Sequence, residues 1–272
     1  MNNKDILKNS NNGSDESKEI FLNNMEEYED PDLYDSENEM YKDDLGLILE
    51  WAEKTKGKII ELACGTGRIA LELAERGMEV VGVDLNKQML KKAEEKAKGR
   101  NLYVQWILQD CTELNLNIKS TFIYMVGNSF QHFLTNESQD KLFESVSNYL
   151  DINGIFIFDT RFPSLEELLQ PEKEEYWKSY IDEKNRKVDL YTLSSYDALN
   201  QIQHYKTIRI YNEDTFKEKS QETNISLRYV YPQEMRRVLQ QYGFEILNIY
   251  GYWDKRELTP KSSSMIVVCK KV

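Results

Sequence analysis

The 272-residue sequence is poor in sulfur and imidazole, with three cysteines, Cys64, Cys111 and Cys269, and two histidines, His132 and His204. Cysteines so few and scattered cannot form a disulfide framework, and no Cys/His spacing offers a zinc site, so reduced thiols and no metal are expected. No apolar run approaches the roughly 20 residues that cross a bilayer. The opening Met1-Asn2-Asn3-Lys4-Asp5 lacks the basic, apolar, small-residue order of a signal sequence, so a cytoplasmic protein with no membrane partner is expected. Positive charge is also short: 35 Lys and Arg face 47 Asp and Glu, a formal charge of -12. That field repels phosphate chains, so no nucleic acid is expected and a small-molecule substrate is favoured. There is no internal repeat and no Pro- or Ser-rich linker, and the sequence leaves monomer and homodimer open.

The apolar residues, 40% of the chain, are patterned. Residues 1–19 are Asn, Ser, Lys, Asp and Glu with almost no apolar anchor, which predicts a disordered tail. Residues 20–56 read as an N-terminal lid and helix. Ile20, Phe21, Leu22, Met25 and Tyr28 suit a short helix or lid, and Leu45, Leu47, Ile48 and Trp51 have near-helical spacing within Met40–Lys56. Residues 57–173 alternate strand and helix: strands at 58–62, 79–84, 102–107, 122–126 and 154–159, helices at 67–77, 86–98 and 137–150. Such alternation predicts an α/β fold with a parallel sheet, whose ligands sit at the carboxyl ends of the strands. Residues 174–231 change character. The alternating stretches 188–196, 202–211 and 218–231 predict an inserted antiparallel meander, on the substrate side or at a dimer contact. Residues 232–272 return to a helix, opened by Pro232, and two final strands at 244–250 and 265–270.

The most informative stretch is Ile59-Ile60-Glu61-Leu62-Ala63-Cys64-Gly65-Thr66-Gly67-Arg68-Ile69-Ala70. Gly65 and Gly67 permit a sharp strand-to-helix turn with bare backbone that a ligand can approach. With Asp84 some twenty residues on, this is also a dinucleotide fingerprint, which makes a nicotinamide-dependent oxidoreductase the competing reading. Glu61 discriminates. A carboxylate at the end of the first strand repels a pyrophosphate and favours a ligand bearing a sulfonium and an ammonium.

Glu-Leu-Ala-Cys-Gly-Thr-Gly-Arg closely resembles the first motif of class I S-adenosylmethionine-dependent methyltransferases, and roughly residues 40–160 follow that family's order. The resemblance implies a Rossmann-like, mostly parallel seven-stranded sheet with helices on both faces. It also implies S-adenosyl-L-methionine as cofactor and S-adenosyl-L-homocysteine as product. It assigns cofactor binding to Glu61, Ala63, Gly65, Gly67, Asp84, Leu85, Met89, Asp110, Cys111 and Val126, with Asp84 at the ribose, Met89 near the adenine and the Asp110-Cys111 pair at its edge. Read singly, Asp84 is equally a helix cap, Met89 a core residue and Asp110 a turn acid, and Cys64 and Cys111 are packing residues rather than nucleophiles.

Methyl transfer is an in-line displacement from an activated donor, so alignment of the acceptor matters most and no triad is expected. Acceptor-facing residues belong after the fourth strand, at 127–133, where His132 is either a base or a loop-shaping residue. More narrowly, the chain resembles small-molecule N-methyltransferases of the sugar-amine and glycine type. That resemblance implies catalytic roles for His132 and Tyr34 at the acceptor. Arg161, after the fifth strand, suits an anionic substrate group or a salt bridge with a neighbouring acid, and Arg228 is a second candidate at the substrate. His204 reads as a sheet-surface residue. The expected function is methyl transfer to nitrogen or oxygen of a small molecule, with a non-catalytic S-adenosylmethionine-binding module as the alternative of another class.

Overall fold

The computed structural model describes residue 20 and residues 24–182, 184–212 and 219–272, so the tail expected over 1–19 lies outside the described residues. The chain forms two compact units, one of residues up to Glu29 with Pro171–Leu227, the other of Asp30–Gln170 with Arg228–Val272.

The larger unit is built on a seven-stranded sheet. Its strands are β1 (Ile59–Leu62), β2 (Val80–Asp84), β3 (Gln105–Leu108), β4 (Ser120–Met125), β5 (Leu150–Arg161), β10 (Phe244–Tyr250) and β11 (Ser264–Lys271), in the order β10-β11-β5-β4-β1-β2-β3. β1 to β5 run parallel, and the final pair adds antiparallel through β11 on β5. After β3 the chain crosses back to lay β4 beside β1. Successive loops therefore part at the carboxyl ends of β1 and β4, where sheets of this kind leave a crevice.

Both faces of the sheet are covered, which accounts for the unbroken apolar runs. Helices α2 (Leu45–Thr55) and α3 (Arg68–Glu75) bury Leu47, Ile48, Ile69 and Leu73 with Ile59, Phe122 and Ile157 on one face. Helices α5 (Asn136–Tyr149) and α7 (Pro232–Gln241) bury Leu142, Phe143, Met235 and Leu239 with Ile60, Ile123 and Phe158 on the other. Helix α4 (Lys87–Gly99) is capped by Asn86, whose side chain accepts from Gln88 N and Met89 N. Helix α1 (Pro31–Asn38) starts at a proline behind Asp30, which accepts from Asp32 N and Leu33 N. The short α6 (Leu165–Leu168) follows β5. No helix among the described residues is long and apolar enough to cross a membrane.

The smaller unit is an antiparallel sheet of four strands, β6 (Glu175–Ile181), β7 (Lys187–Asp197), β8 (Ile202–Asn212) and β9 (Lys219–Arg228). The sequence pattern gives three of these. β6 escapes it because Tyr176, Trp177 and Ile181 are all exposed and a register shift interrupts the alternation between Tyr176 and Lys178. A 3-10 turn at Glu26–Tyr28 is fixed to the sheet by a buried ion pair. Arg209, 2% exposed, donates to Glu27 at 2.8 Å and to Thr223 at 2.6 Å. His204 meets Ser226 at 2.8 Å, which uses one ring nitrogen inside the sheet.

Candidate cofactor and acceptor site

The loop leaving β1 turns by taking left-handed backbone at Ala63 (φ 52°), Gly65 (φ 55°) and Gly67 (φ 79°). Glycine adopts this freely, whereas at Ala63 the Cβ makes it costly, so Ala63 stores strain at the tip of the strand. Gly67 serves a second purpose: a Cβ there would lie 2.6 Å from the Trp106 ring, and one at Gly82 would lie 2.5 Å from the same ring. Trp106 of β3 therefore packs flat against β2 and the turn, a contact that the glycine motif does not reveal. Over Gly65 the space is open as far as Met89 Cε and Tyr34 Cε1, 3.5 and 4.0 Å from the position a Cβ would take.

Three acids knit this turn together. Asp84 accepts from Gly65 N and Asn86 N, one on each oxygen and both at 2.7 Å, so it joins the loops after β1 and β2. Asn86, rather than Asp84, caps α4 and aims the buried Met89 at the turn. Asp110 accepts from both Thr112 N and Thr112 Oγ1 at 2.8 Å, which holds the 3-10 turn Cys111–Glu113. Cys111 is buried with its thiol on the Ala63 backbone, and burial pushes that thiol up, out of the range of a nucleophile. Val126 is buried at the end of β4, and Leu85 is half-buried beside Asp84.

Glu61 is placed differently from a surface carboxylate. It is 2% exposed, lies under the turn, and accepts from Ala70 N at 3.0 Å, bracing the start of α3. Burial raises its carboxyl to about 8, against the pull of the Tyr124 hydroxyl, Arg68 and the Ala70 amide. Near neutral pH it is largely protonated, and a cation brought to the turn favours its ionised form.

The stretch from α1 to α2 lies against the same turn. Asp35 accepts from Thr66 Oγ1 at 2.5 Å, Lys96 of α4 pairs with Asp35 and Glu39 at 3.0 Å each, and Lys92 pairs with Asp32. Arg68 holds Asp44 through two bonds of 2.8 and 2.5 Å and also donates to Tyr41 O. These contacts bring Tyr34 beside Gly65, where burial raises its phenol to about 12. It stays a neutral hydrogen-bonding group at neutral pH.

On the acceptor side, β4 leads through Asn128 (φ 59°) into the 3-10 turn Ser129–His132. Burial lowers the His132 imidazole to about 4, which keeps it neutral. Asn128 N donates to Asp159 at the end of β5, at 3.0 Å. Arg161 pairs with Glu167 at 3.2 Å, and Glu167 also accepts from the Tyr229 hydroxyl. Arg228 binds Leu134 O, Asn136 and Glu234, tying the loop before α5 to α7. The structure thus gathers the residues from Tyr34 to Asp110 about one turn, and gives Arg161 and Arg228 protein partners. The sequence reading gave neither the burial of Asp159 beside Asn128 nor Trp106 as the support of the turn.

A parallel sheet with this strand order, a glycine turn after β1 and acids ending β1 and β2 is the architecture of class I S-adenosylmethionine-dependent methyltransferases. Residues 59–154 match the methyltransferase domain family. It is 34% identical over 115 residues to "Putative methyltransferase YqeM" of Bacillus subtilis (strain 168), covering 40% of this chain and 46% of that one. It is 30% identical over 106 residues to a glycine/sarcosine N-methyltransferase of Aphanothece halophytica, covering 38% and 40%. The chain therefore spans less than half the length of these curated relatives. Among solved structures, a S-adenosylmethionine-dependent methyltransferase from Clostridium acetobutylicum ATCC 824 superposes with a TM-score of 0.72 at 23% identity, covering 85% of this chain and 92% of that one.

Proposed function

We propose that the chain transfers a methyl group from S-adenosylmethionine to nitrogen or oxygen of a small molecule. The observation that carries this is the knot at the glycine turn, where Asp84 holds Gly65 N while Tyr34 and Met89 bound the open space beyond that glycine. These residues fit the cofactor. Gly65 leaves backbone bare, Asp84 keeps a lone pair on each oxygen for the ribose hydroxyls, Asp110 has an oxygen to spare for an amino group, and Glu61 answers a cation. Leu85 and Cys111 complete the adenine side, and Val126, at the end of β4, bounds the turn from across β1. When bound, the cofactor supplies a methyl group on a sulfonium that leaves as a neutral sulfide.

The chain's own residues then align the acceptor, exclude water and handle its proton. Tyr34, neutral and beside the turn, and His132, neutral after β4, are proposed to orient the acceptor. The acidic balance of -12 supports a small acceptor over a nucleic acid, and the relative named for glycine and sarcosine supports a small amine.

Calorimetric titration with S-adenosylhomocysteine and with NADH tests the donor half. Wild type binds the first and ignores the second, and Asp84→Ala lowers the affinity by about 100-fold, close to 2.7 kcal/mol. An unchanged affinity sinks the assignment. A protein that binds the cofactor but never passes a labelled methyl to any acceptor is a binding module instead.

A further inference from the structure

The ends of β4 and β5 hold a buried acid that no cation claims. Asp159 is 3% exposed and accepts the Asn128 N–H, and among the described residues no Lys, Arg or His forms an ion pair with it. An uncompensated carboxylate taken out of water carries a cost of several kcal/mol. An asparagine would accept the same amide without that cost, so the Asn128 amide alone does not account for an acid here.

Its charged surroundings are few. Asp44 at the start of α2, Tyr41 just before it and Arg68 of α3 act on it electrostatically. Arg68 is already committed to Asp44 through both ends of its guanidinium. On the other flank β11 presents Ile266 in register with Asp159. Burial first, and then Asp44, raise the carboxyl to about 7, against the Asn128 amide and Arg68.

We propose that Asp159 receives the acceptor, pairing with a protonated amine nitrogen and taking its proton, which makes the acceptor an amine rather than an alcohol or a carboxylate. The inference rests on the methyl-transfer reading above and names its substrate class. An ammonium has no lone pair and cannot be methylated. One N–H bond breaks, its electron pair stays on nitrogen for the attack, and the proton forms an O–H bond on the carboxylate oxygen that Asn128 leaves unengaged. It passes to water when the product departs. His132 is the weaker candidate for this step: with its imidazole held near 4 it is a poorer base than Asp159, whose carboxyl stands near 7 and so loses less in taking a proton from an ammonium.

The test has two parts. The protein is labelled with 13C at aspartate carboxyls and saturated with S-adenosylhomocysteine, and the Asp159 resonance is identified by its loss in Asp159→Asn. Methylamine, glycine, sarcosine and ethanolamine are added beside the oxygen twins methanol, glycolate and ethylene glycol. The resonance titrates near pH 7 and shifts with at least one amine and with no twin; indifference to every amine overturns the proposal.

In the second part, labelled S-adenosylmethionine is mixed with the same panel. Asp159→Asn slows transfer to the amine by about 100-fold or more, loses the acid limb of the pH-rate profile, and binds S-adenosylhomocysteine within about twofold of wild type. Asp159→Glu recovers part of the rate and guards against loss through misfolding. Transfer to an oxygen twin alone, or an Asp159→Asn rate within about threefold of wild type, overturns the proposal. A wild type that methylates nothing refutes the methyl-transfer reading, and the carboxyl resonance still decides the role of Asp159.

Discussion

In the proposed donor half of the larger unit, Asp84 gives both carboxylate oxygens to backbone amides, Gly65 N and Asn86 N, whereas in the proposed acceptor half Asp159 accepts the Asn128 amide and, among the described residues, forms no ion pair. The first acid is structural in its own right, because removing it unties two loops. The second holds the Asn128 amide at the cost of burying a carboxyl, a cost that the proposed acceptor pairing would offset. A site for an invariant donor can be wired into the backbone, while a site for a particular acceptor depends on side chains carried by separate loops.

If the donor half is rigid by packing, filling its tightest contact does the greatest harm. Gly82→Ala sets a methyl 2.5 Å from Trp106 and 2.9 Å from Cys64 Sγ. It lowers stability by about 1–3 kcal/mol, seen as a fall in denaturant midpoint. Trp106→Leu in the same chain recovers part of the loss; no recovery means that Trp106 is not the support described.

Glu61→Gln sharpens the contrast between paired and uncompensated acids. The Glu61 carboxyl stands at about 8 in the fold against 4.5 normally, so the folded protein binds the proton more tightly than the unfolded chain. Wild-type stability is unaffected by this group below the lower value, falls as pH rises from about 4.5 to 8, and is constant above. The melting temperature of Glu61→Gln therefore gains on wild type from pH 5 to pH 8.5, and a constant gap contradicts the account. The smallest effect is at Ala63: Ala63→Gly relieves the left-handed backbone and raises stability by up to about 1 kcal/mol, measured by urea unfolding.

The legible parts of the molecule were those with local causes. Apolar periodicity gave the parallel sheet and its helices, and the order of Glu61, Gly65, Asp84 and Asp110 pointed to the proposed donor half. Other features depended on contacts made elsewhere. Strand β3 starts at Gln105 rather than Leu102 because pairing with β2 begins at Val81↔Gln105. Helix α1 is short and polar, so its hydrophobic pattern is silent, though Asp30-Pro31 carries a start signal. Glu61 read as a fixed negative charge, and only its burial, which raises the carboxyl to about 8, shows that it is not one. Asp159 looked like the end of a strand, because neither its burial nor its amide partner can be read from neighbours in sequence.

The central claim, that the turn over Glu61 is a site for a cationic methyl donor, is tested most directly by titrating the protein with S-adenosylmethionine at pH 7 in two buffers of different ionisation heat. The account predicts binding with release of up to about one proton from Glu61 in wild type, and binding without that release in Glu61→Gln. Absence of binding, or a proton release that persists unchanged in Glu61→Gln, would contradict it.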